Sequence, residues 1–527
     1  MHRRLLALLP AALAALLYLP TLRFGFVWDD WAFVPILTAL DARAVLLGAN
    51  GIHWLPACDL TLLLDARLSG RSPAGFHATN VVLFVVAVLL ATRLYADLLR
   101  AAPAPRVSAR AGLLAAVCAL VFAVHPLQVE SVAFVSSRGG LLATVFALGS
   151  LVAHGSFAER GGRLRWAASL VLCLGALTSK QSAVTLPLLL FLVHLYRARQ
   201  AGAGRAALGA APHGVLALAI GAVHVAVARS EGFVAGAGSP LDLLGRVPHA
   251  LFAAQFYVWK LLWPVPLAIE YDVEAWFRNR ALLAASSVVL TGVFAALVIG
   301  GWRRRSLGWL CALLYAAALL PVSNLLPSVP LVADRYAQLP LLALVPLVVV
   351  PVLARLPTRA GALAAALAVA VLAVATARQV SVWRNDQTLT AHAIAVNPKA
   401  SAALGNLGLL LWDRGRGEDA LRVLERLREV APGDFRYAYV QGLAAERQGD
   451  LHQALRWLEE AARGQGEPKY VVHMKLGDVQ LRLERRDEAR RAYERALELS
   501  ERFPVAGPHR HAIRRQLAVL GPRREPR

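Results

Sequence analysis

The run AGALAAALAVAVLAVATA, residues 360–377, holds 18 positions without one charged side chain and is the last of its kind in the chain. Crossing the hydrocarbon core of a bilayer takes about 20 mostly apolar residues. After Val380 no such run occurs, and residues 381–527 carry 26 basic and 20 acidic side chains. The first 380 residues hold 30 basic and 14 acidic side chains, set between further apolar runs. The chain therefore reads as all-α: a polytopic membrane domain, residues 1–380, followed by a water-soluble domain. Its composition agrees, with 57% of 527 residues hydrophobic, 17% charged and a mean hydropathy of +0.52. Soluble globular chains lie nearer about 45–50% apolar and about 25% charged. A single soluble domain, a disordered chain and a disulfide-stapled secreted scaffold are thereby excluded. The formal net charge of +22 fits nucleic acid, an anionic membrane surface, or basic loops held on one side of a bilayer. Where the charges sit decides among them.

Downstream of the last apolar run the sequence repeats. Gly408, Gly442 and Gly477 are spaced by 34 and 35 residues, and Ala420, Ala454 and Ala489 repeat the same intervals. Leu424, Leu458 and Tyr493 follow each alanine by four residues, and Pro432 closes the first unit. This is the tetratricopeptide period, with small residues where the two helices of a repeat touch. Ala393 and Pro398 supply a half repeat, so residues 381–504 are expected to form a short α-solenoid capped by the Arg-rich tail 505–527. The solenoid is a generic groove that binds a polypeptide or organises an assembly.

Upstream, eleven spans are expected, near 5–22, 76–96, 111–124, 139–157, 166–179, 182–196, 208–228, 281–301, 307–324, 334–354 and 360–377. The first is read as an uncleaved signal anchor, since no small-residue cleavage site follows it. A further run, 249–263, is interrupted by Lys260 and ends at Pro264, and is placed at the membrane surface. Basic residues concentrate on the cytoplasmic side of short loops. With the N-terminus inside, Arg100, Arg160, Arg163, Arg197, Arg205 and Arg303–Arg305 all fall inside. Only Asp97 and Glu159 among the membrane domain's acidic residues join them, and the other 12 fall outside with the soluble domain. The net charge is thus mainly a topology signal, and nucleic acid is not an expected partner. Acid–base chemistry belongs on the acidic face.

Two constellations on that face stand out. Phe26-Val27-Trp28-Asp29-Asp30-Trp31 sets adjacent carboxylates among aromatics directly after the first span. Tryptophans anchor at headgroup level and aspartates cap helices. A shielded carboxylate with a like-charged neighbour also has the raised pKa of a general base. The second runs from His125 through Glu130 to Arg138; Pro126 breaks the helix, so His125 and Glu130 do not have metal-ligand spacing. Arg138, Lys180 and Arg335 are three cations on one rim. Each alone fits snorkelling at a helix end; together they fit a phosphate site. His77 and Asn80 open the second span. Cys58, Cys118, Cys173 and Cys311 suggest no disulfide, and no Gly-rich phosphate loop supports ATP hydrolysis.

In this order, FVWDDW (26–31), HPLQVESVAFVSSRGGLLATVFAL (125–148), SKQSAVTLPLLLFLVHLY (179–196), WKLLWPVPLAIEYD (259–272), ADRYAQLP (333–340) and VWRNDQTL (382–389), the chain resembles the transmembrane and TPR-containing protein O-mannosyltransferases, the TMTC group, and their bacterial relatives. These are GT-C glycosyltransferases, so the resemblance implies a GT-C-like membrane domain and inverting transfer of a sugar, mannose above all. The donor would be a polyprenyl-phosphate sugar lipid and the acceptor a protein Ser/Thr hydroxyl, with the TPR domain binding acceptor or partner. It implies Asp29 or Asp30 as catalytic base, Asp30 being slightly favoured. It also implies His125, Glu130, Arg138, Lys180 and Arg335 as substrate contacts. No cofactor is required; some GT-C enzymes use Mg or Mn at their acidic motif, and this sequence does not decide it. Where relatives read Ser-Lys-Glu, this chain has Ser179-Lys180-Gln181, and His53-Trp54-Leu55-Pro56 replaces an Arg-Pro. The Ala/Leu/Arg-rich usage suggests a bacterial inner membrane, with the first loop and the TPR domain periplasmic and membrane lipids as neighbours. The rival reading is a non-catalytic membrane-anchored TPR scaffold. A transporter is disfavoured because the spans hold almost no charge at mid-bilayer.

Overall fold

The computed structural model describes residues 2–38, 40–47, 53–198, 200, 202–230, 240–325, 330–501 and 506–521, which are helical with no named strand. Glu231 and the tail residues 522–527 lie outside them. Two compact units divide the chain, one of residues 1–30 and 40–385, the other of 31–39 and 386–527.

In the first unit every apolar run is a helix, as it must be where lipid offers the backbone no hydrogen bonds. Six helices are long and apolar enough to cross: Pro73–Arg100, Val135–Arg160, Ala203–Arg229, Arg280–Gly301, Gln338–Arg355 and Thr358–Val382. Ala111–Val124 and Pro126–Ala133 make a seventh if that pair, bent by 56°, is one span. Of the remaining expected spans, Arg163–Leu177, Leu186–Arg197 and Leu307–Val322 are shorter, while the first helix, His2–Tyr18, runs on into the turn Leu19–Arg23. The 15 residues of Arg163–Leu177 reach about 22 Å, against ~30 Å of hydrocarbon. By length and composition six or seven of the described helices qualify as crossings, so helix length alone does not confirm eleven. The shortening has local causes: the Thr178-Ser179-Lys180 turn ends one helix, and Pro126, Pro187 and Pro321 fall at the junctions of others.

Polar contacts sort the loops of this unit into two ends. Asp97 and Glu159, the two acidic residues expected inside, meet on Arg197 at 3.6 and 2.7 Å. Arg93 and Arg100 also bond Asp97. Arg305 donates to the Leu195 carbonyl and Arg110 to that of Leu353, so five basic segments share this end. The Pro240–Leu262 helix touches the 263–279 loop through His249, Phe252 and Lys260. It meets that loop along its length rather than at one tip.

The second unit stacks helix pairs from Asp386–Val396 to Gly507–Leu520. Its repeated residues make one repeated contact. A Cβ on Gly442 would lie 2.8 Å from Leu458 Cγ and one on Gly477 2.7 Å from the Tyr493 ring, while Gly408 abuts Leu424. Gly415 and Gly449 take φ of +78° and +83° in the turns inside their repeats. Glu484 holds the equivalent place at φ +63°, where a side chain is strained. Trp31 Nε1 donates to Asp386 Oδ2 at 2.7 Å at the start of this unit.

Candidate active site

The first helix ends in a 3₁₀ turn, Leu19–Arg23, and the chain leaves it extended at Phe24. Gly25 N–H then donates to the Arg384 carbonyl at 3.2 Å, and the Gly25 carbonyl meets His77 Nε2 at 3.4 Å. Trp28 follows with φ +53°, a left-handed conformation uncommon for an aromatic residue and costly enough to need support from its surroundings. The two aspartates after it have opposite environments.

Asp30 is wholly buried. Its Oδ1 accepts from Ser136 N at 2.7 Å and Ser136 Oγ at 2.6 Å, and its Oδ2 accepts from Val27 N at 3.2 Å. Burial pushes its pKa up to about 7, opposed by the Ser136 and Val27 hydrogen bonds and assisted by Asp29. It pins the first loop to the Val135–Ser137 turn, with three protein donors on its two oxygens. Asp29 is solvent-exposed. The protein mass around it still raises its pKa by desolvation, and the Arg335 guanidinium opposes the rise.

Arg335 is held from several directions. Glu130, buried on the short Val129–Ala133 helix, takes its backbone N–H at 3.0 Å with one oxygen and pairs with its guanidinium through the other. The neighbouring residues are anchored too. Tyr257 Oη donates to the Ala333 carbonyl at 3.0 Å, and Tyr271 Oη donates to Asp334 Oδ1 at 2.7 Å. Asp334 is buried, and desolvation followed by the Glu130 charge raises its pKa, while Tyr271, Lys260 and Arg335 oppose.

Beside Arg335 lies a small cleft with room of about 40 Å³, lined among others by Ser137, Thr144, Lys180, Ser182, Arg335 and Gln338. Lys180 enters it from the tight turn after Arg163–Leu177. Ala57 N–H donates to Thr178 O at 3.2 Å, and Gly139 lies so close that a Cβ there would be 2.7 Å from Ser179 O. Among the described residues the Lys180 ammonium has no hydrogen bond or ion pair. Its pKa is lowered by desolvation and by Arg335, with Cys58 and Glu130 opposing.

Three expected substrate contacts are engaged by the protein itself. Arg138 is wholly buried: its guanidinium pairs with Asp65 at 2.6 Å and bonds Asn80 Oδ1 and the Phe76 carbonyl, each at 2.8 Å. His125 is equally buried, with Nε2 at 3.1 Å from the Leu261 carbonyl and Nδ1 accepting from Leu127 N. Glu130 spends both oxygens on Arg335. Of the expected site residues, Asp29, Arg335 and Lys180 are the ones that keep exposed or unbonded polar surface among the described residues. The reasoning from sequence missed Ser136, Tyr257, Tyr271 and Asp65, whose roles depend on partners distant in the chain. Asp30's oxygens serve three protein donors, and among the described residues no three His, Cys, Asp or Glu side chains gather as ligands.

Residues 406–468 and 470–503 match tetratricopeptide repeat models. Over 336 residues the chain is 29% identical to protein O-mannosyl-transferase Tmtc1 of Drosophila melanogaster, covering 56% of this chain and 37% of that one. A protein O-mannosyl-transferase of Caenorhabditis elegans, F38B6.6, is 26% identical over 454 residues, 79% of this chain and 61% of the relative. Human protein O-mannosyl-transferase TMTC1 is 31% identical over 182 residues, 30% and 20% of the two chains. The chain spans less than two thirds of the length of these curated relatives. Apolar helices followed by tetratricopeptide repeats, together with this sequence similarity, make the chain a TMTC-like protein.

Proposed function

We propose that the chain is an integral-membrane glycosyltransferase of the GT-C type. It moves a sugar, mannose by analogy with its relatives' names, from a polyprenyl phosphate to a protein Ser/Thr hydroxyl at the acidic, extracytoplasmic end. One observation carries the reading: an accessible carboxylate, Asp29, faces the charge of Arg335, which lines a cleft with a Lys180 that has no partner among the described residues. Asp29 takes the acceptor proton as the hydroxyl oxygen attacks the anomeric carbon. The bond from that carbon to the phosphate oxygen breaks, and its electron pair leaves with the lipid phosphate. Arg335 and Lys180 meet the charge that develops there, so no separate general acid is needed. Attack opposite the leaving group inverts the anomeric centre. A carboxylate pKa raised towards neutrality suits a base working near pH 7, and Lys180, whose charged form is disfavoured by burial and Arg335, gains most from an incoming anion. Asp30 holds the loop that carries Asp29. The tetratricopeptide unit presents the polypeptide acceptor.

The test is reconstitution with polyprenyl-phosphate mannose and a peptide pool. Asp29→Asn is expected to lower kcat by about 10²–10⁴-fold with donor binding retained, and Lys180→Gln to raise KM for the donor. Wild-type transfer by Asp29→Asn sinks the assignment of the base. Absence of transfer from every lipid-phosphate sugar favours the membrane-anchored scaffold.

A further inference from the structure

A second pocket, remote from the catalytic cleft, lies at the basic end of the first unit. It is bounded by the C-terminal end of the Arg138–Arg160 helix, the Gly161-Gly162 turn, the start of Arg163–Leu177, the last turns of Leu186–Arg197 and the first turns of Ala203–Ser230. The 23 residues of Arg138–Arg160 measure about 34 Å, which separates it from the Arg138 end by a bilayer's thickness. Its volume is about 580 Å³, and Arg163, Trp166, His194, Arg205 and Leu208 line it.

Its features converge on an anion with an apolar tail. His194 is 3% exposed; its Nδ1 meets His154 Nε2 at 3.2 Å, and its Nε2 has no partner among the described residues and is left to the pocket. His154 is packed in turn on His213, whose Nε2 meets Ser169 Oγ at 2.8 Å, so the ring is braced from behind. Gly209 leaves it room, for a Cβ there would lie 3.2 Å from the ring. Gly161 and Gly162, at φ +64° and +99°, fold the turn so that the Arg163–Leu177 helix begins at the pocket. Gly162 caps that helix without a side chain, so its first-turn amides are open to an anion. Arg163 and Arg205 are exposed at the rim, Trp166 lines the pocket as an interfacial residue type, and Leu208, 78% exposed, offers a surface for acyl chains, with Leu164, 84% exposed, next to Arg163 in the chain.

We propose that this pocket binds the phosphate of an anionic phospholipid headgroup. Arg163, Arg205, His194 Nε2 and the first-turn amides are the donors, and the acyl chains lie along the leucines. The site clamps the Arg163–Leu177 helix, whose other end carries the Lys180 turn.

The full chain in detergent, titrated with phosphatidylglycerol, phosphatidylcholine or inorganic phosphate, tests this by native mass spectrometry and thermal unfolding. Phosphatidylglycerol is expected to give discrete bound-lipid adducts and a raised unfolding midpoint, and phosphatidylcholine neither. Arg163→Ala/Arg205→Ala is expected to bind roughly thirtyfold more weakly, at about fivefold per basic residue. Arg106→Ala/Arg303→Ala removes the same charge from the same end without touching a residue that lines the pocket and is expected to bind as wild type. Equal loss in both double variants, equal adducts with phosphatidylcholine, or a full effect from inorganic phosphate alone would each overturn the proposal. These readouts do not involve sugar transfer, so they stand apart from the proposed reaction.

Discussion

Replacing Arg138 with leucine separates a structural cation from a ligand-binding one. The guanidinium satisfies three buried acceptors, on Asp65, Asn80 and Phe76, with no exposed surface. Arg138→Leu strands the Asp65 carboxylate with Thr79 Oγ1, at 2.7 Å, as its remaining side-chain partner. Breaking a buried ion pair from one side costs about 3–5 kcal/mol, and each orphaned acceptor adds ~1–3 kcal/mol. Against a total stability of about 5–15 kcal/mol, the variant should be largely lost on extraction or unfold at much lower temperature. Lys180→Leu breaks no such contact and should stay within ~0.5–1 kcal/mol of wild type. Asp65→Leu/Arg138→Leu removes both charges and should recover much of the loss, since an apolar pair of similar volume often replaces a buried ion pair without penalty. Thermal unfolding in detergent, followed by size-exclusion chromatography, reads all three variants. The reasoning fails if Arg138→Leu unfolds with Lys180→Leu and instead weakens donor binding.

In pH profiles of transfer, kcat/KM should rise on an acid limb displaced above the ordinary carboxylate range by the desolvation of Asp29. Arg335→Gln should move that limb further up, because it removes the charge that lowers the Asp29 pKa. Folded Asp30 binds its proton more tightly than the unfolded carboxyl. Its contribution to stability is therefore full below pH 3.8 and lost as pH rises through about 7, and thermal melts of Asp30→Asn across that window should lose this slope. Gly139→Ala puts a Cβ against Ser179 O, shifting the Lys180 turn, and should raise KM for a lipid-phosphate donor more than it lowers kcat. Gly442→Ala overpacks Leu458 and should cost about 1–3 kcal/mol in a melt of the chain, relieved by Leu458→Ala in the same chain.

The solenoid was legible because its determinants are local and periodic. Gly408, Gly442 and Gly477 each face a side chain 16 residues on, at Leu424, Leu458 and Tyr493, so the contact that builds a repeat is written inside it. The apolar runs were legible as helices for the same reason, but their lengths were not. Hydropathy averages across a break such as Thr178-Ser179-Lys180 and does not register that Pro187 opens a new helix or that Pro321 follows the end of one. Glu484 departs from the pattern, carrying a side chain where its two counterparts are Gly415 and Gly449.

At the site, residue type and spacing selected the right neighbourhood but did not apportion roles within it. Arg138, Lys180 and Arg335 look alike in sequence, each a cation at the end of an apolar run. What distinguishes them is whether a carboxylate arrives from elsewhere. Asp65 reaches Arg138 from 73 residues upstream, Glu130 reaches Arg335 from 205 upstream, and among the described residues none reaches Lys180 within bonding distance. The same test separates the two aspartates. Asp30 meets Ser136, 106 residues on, and is occupied by the fold, whereas Asp29 keeps its solvent exposure. Any group whose partners come from another helix is assigned by packing rather than by motif. For that reason the residue left unsatisfied by the fold, Lys180 at one end and His194 Nε2 at the other, is the better guide to where a ligand belongs.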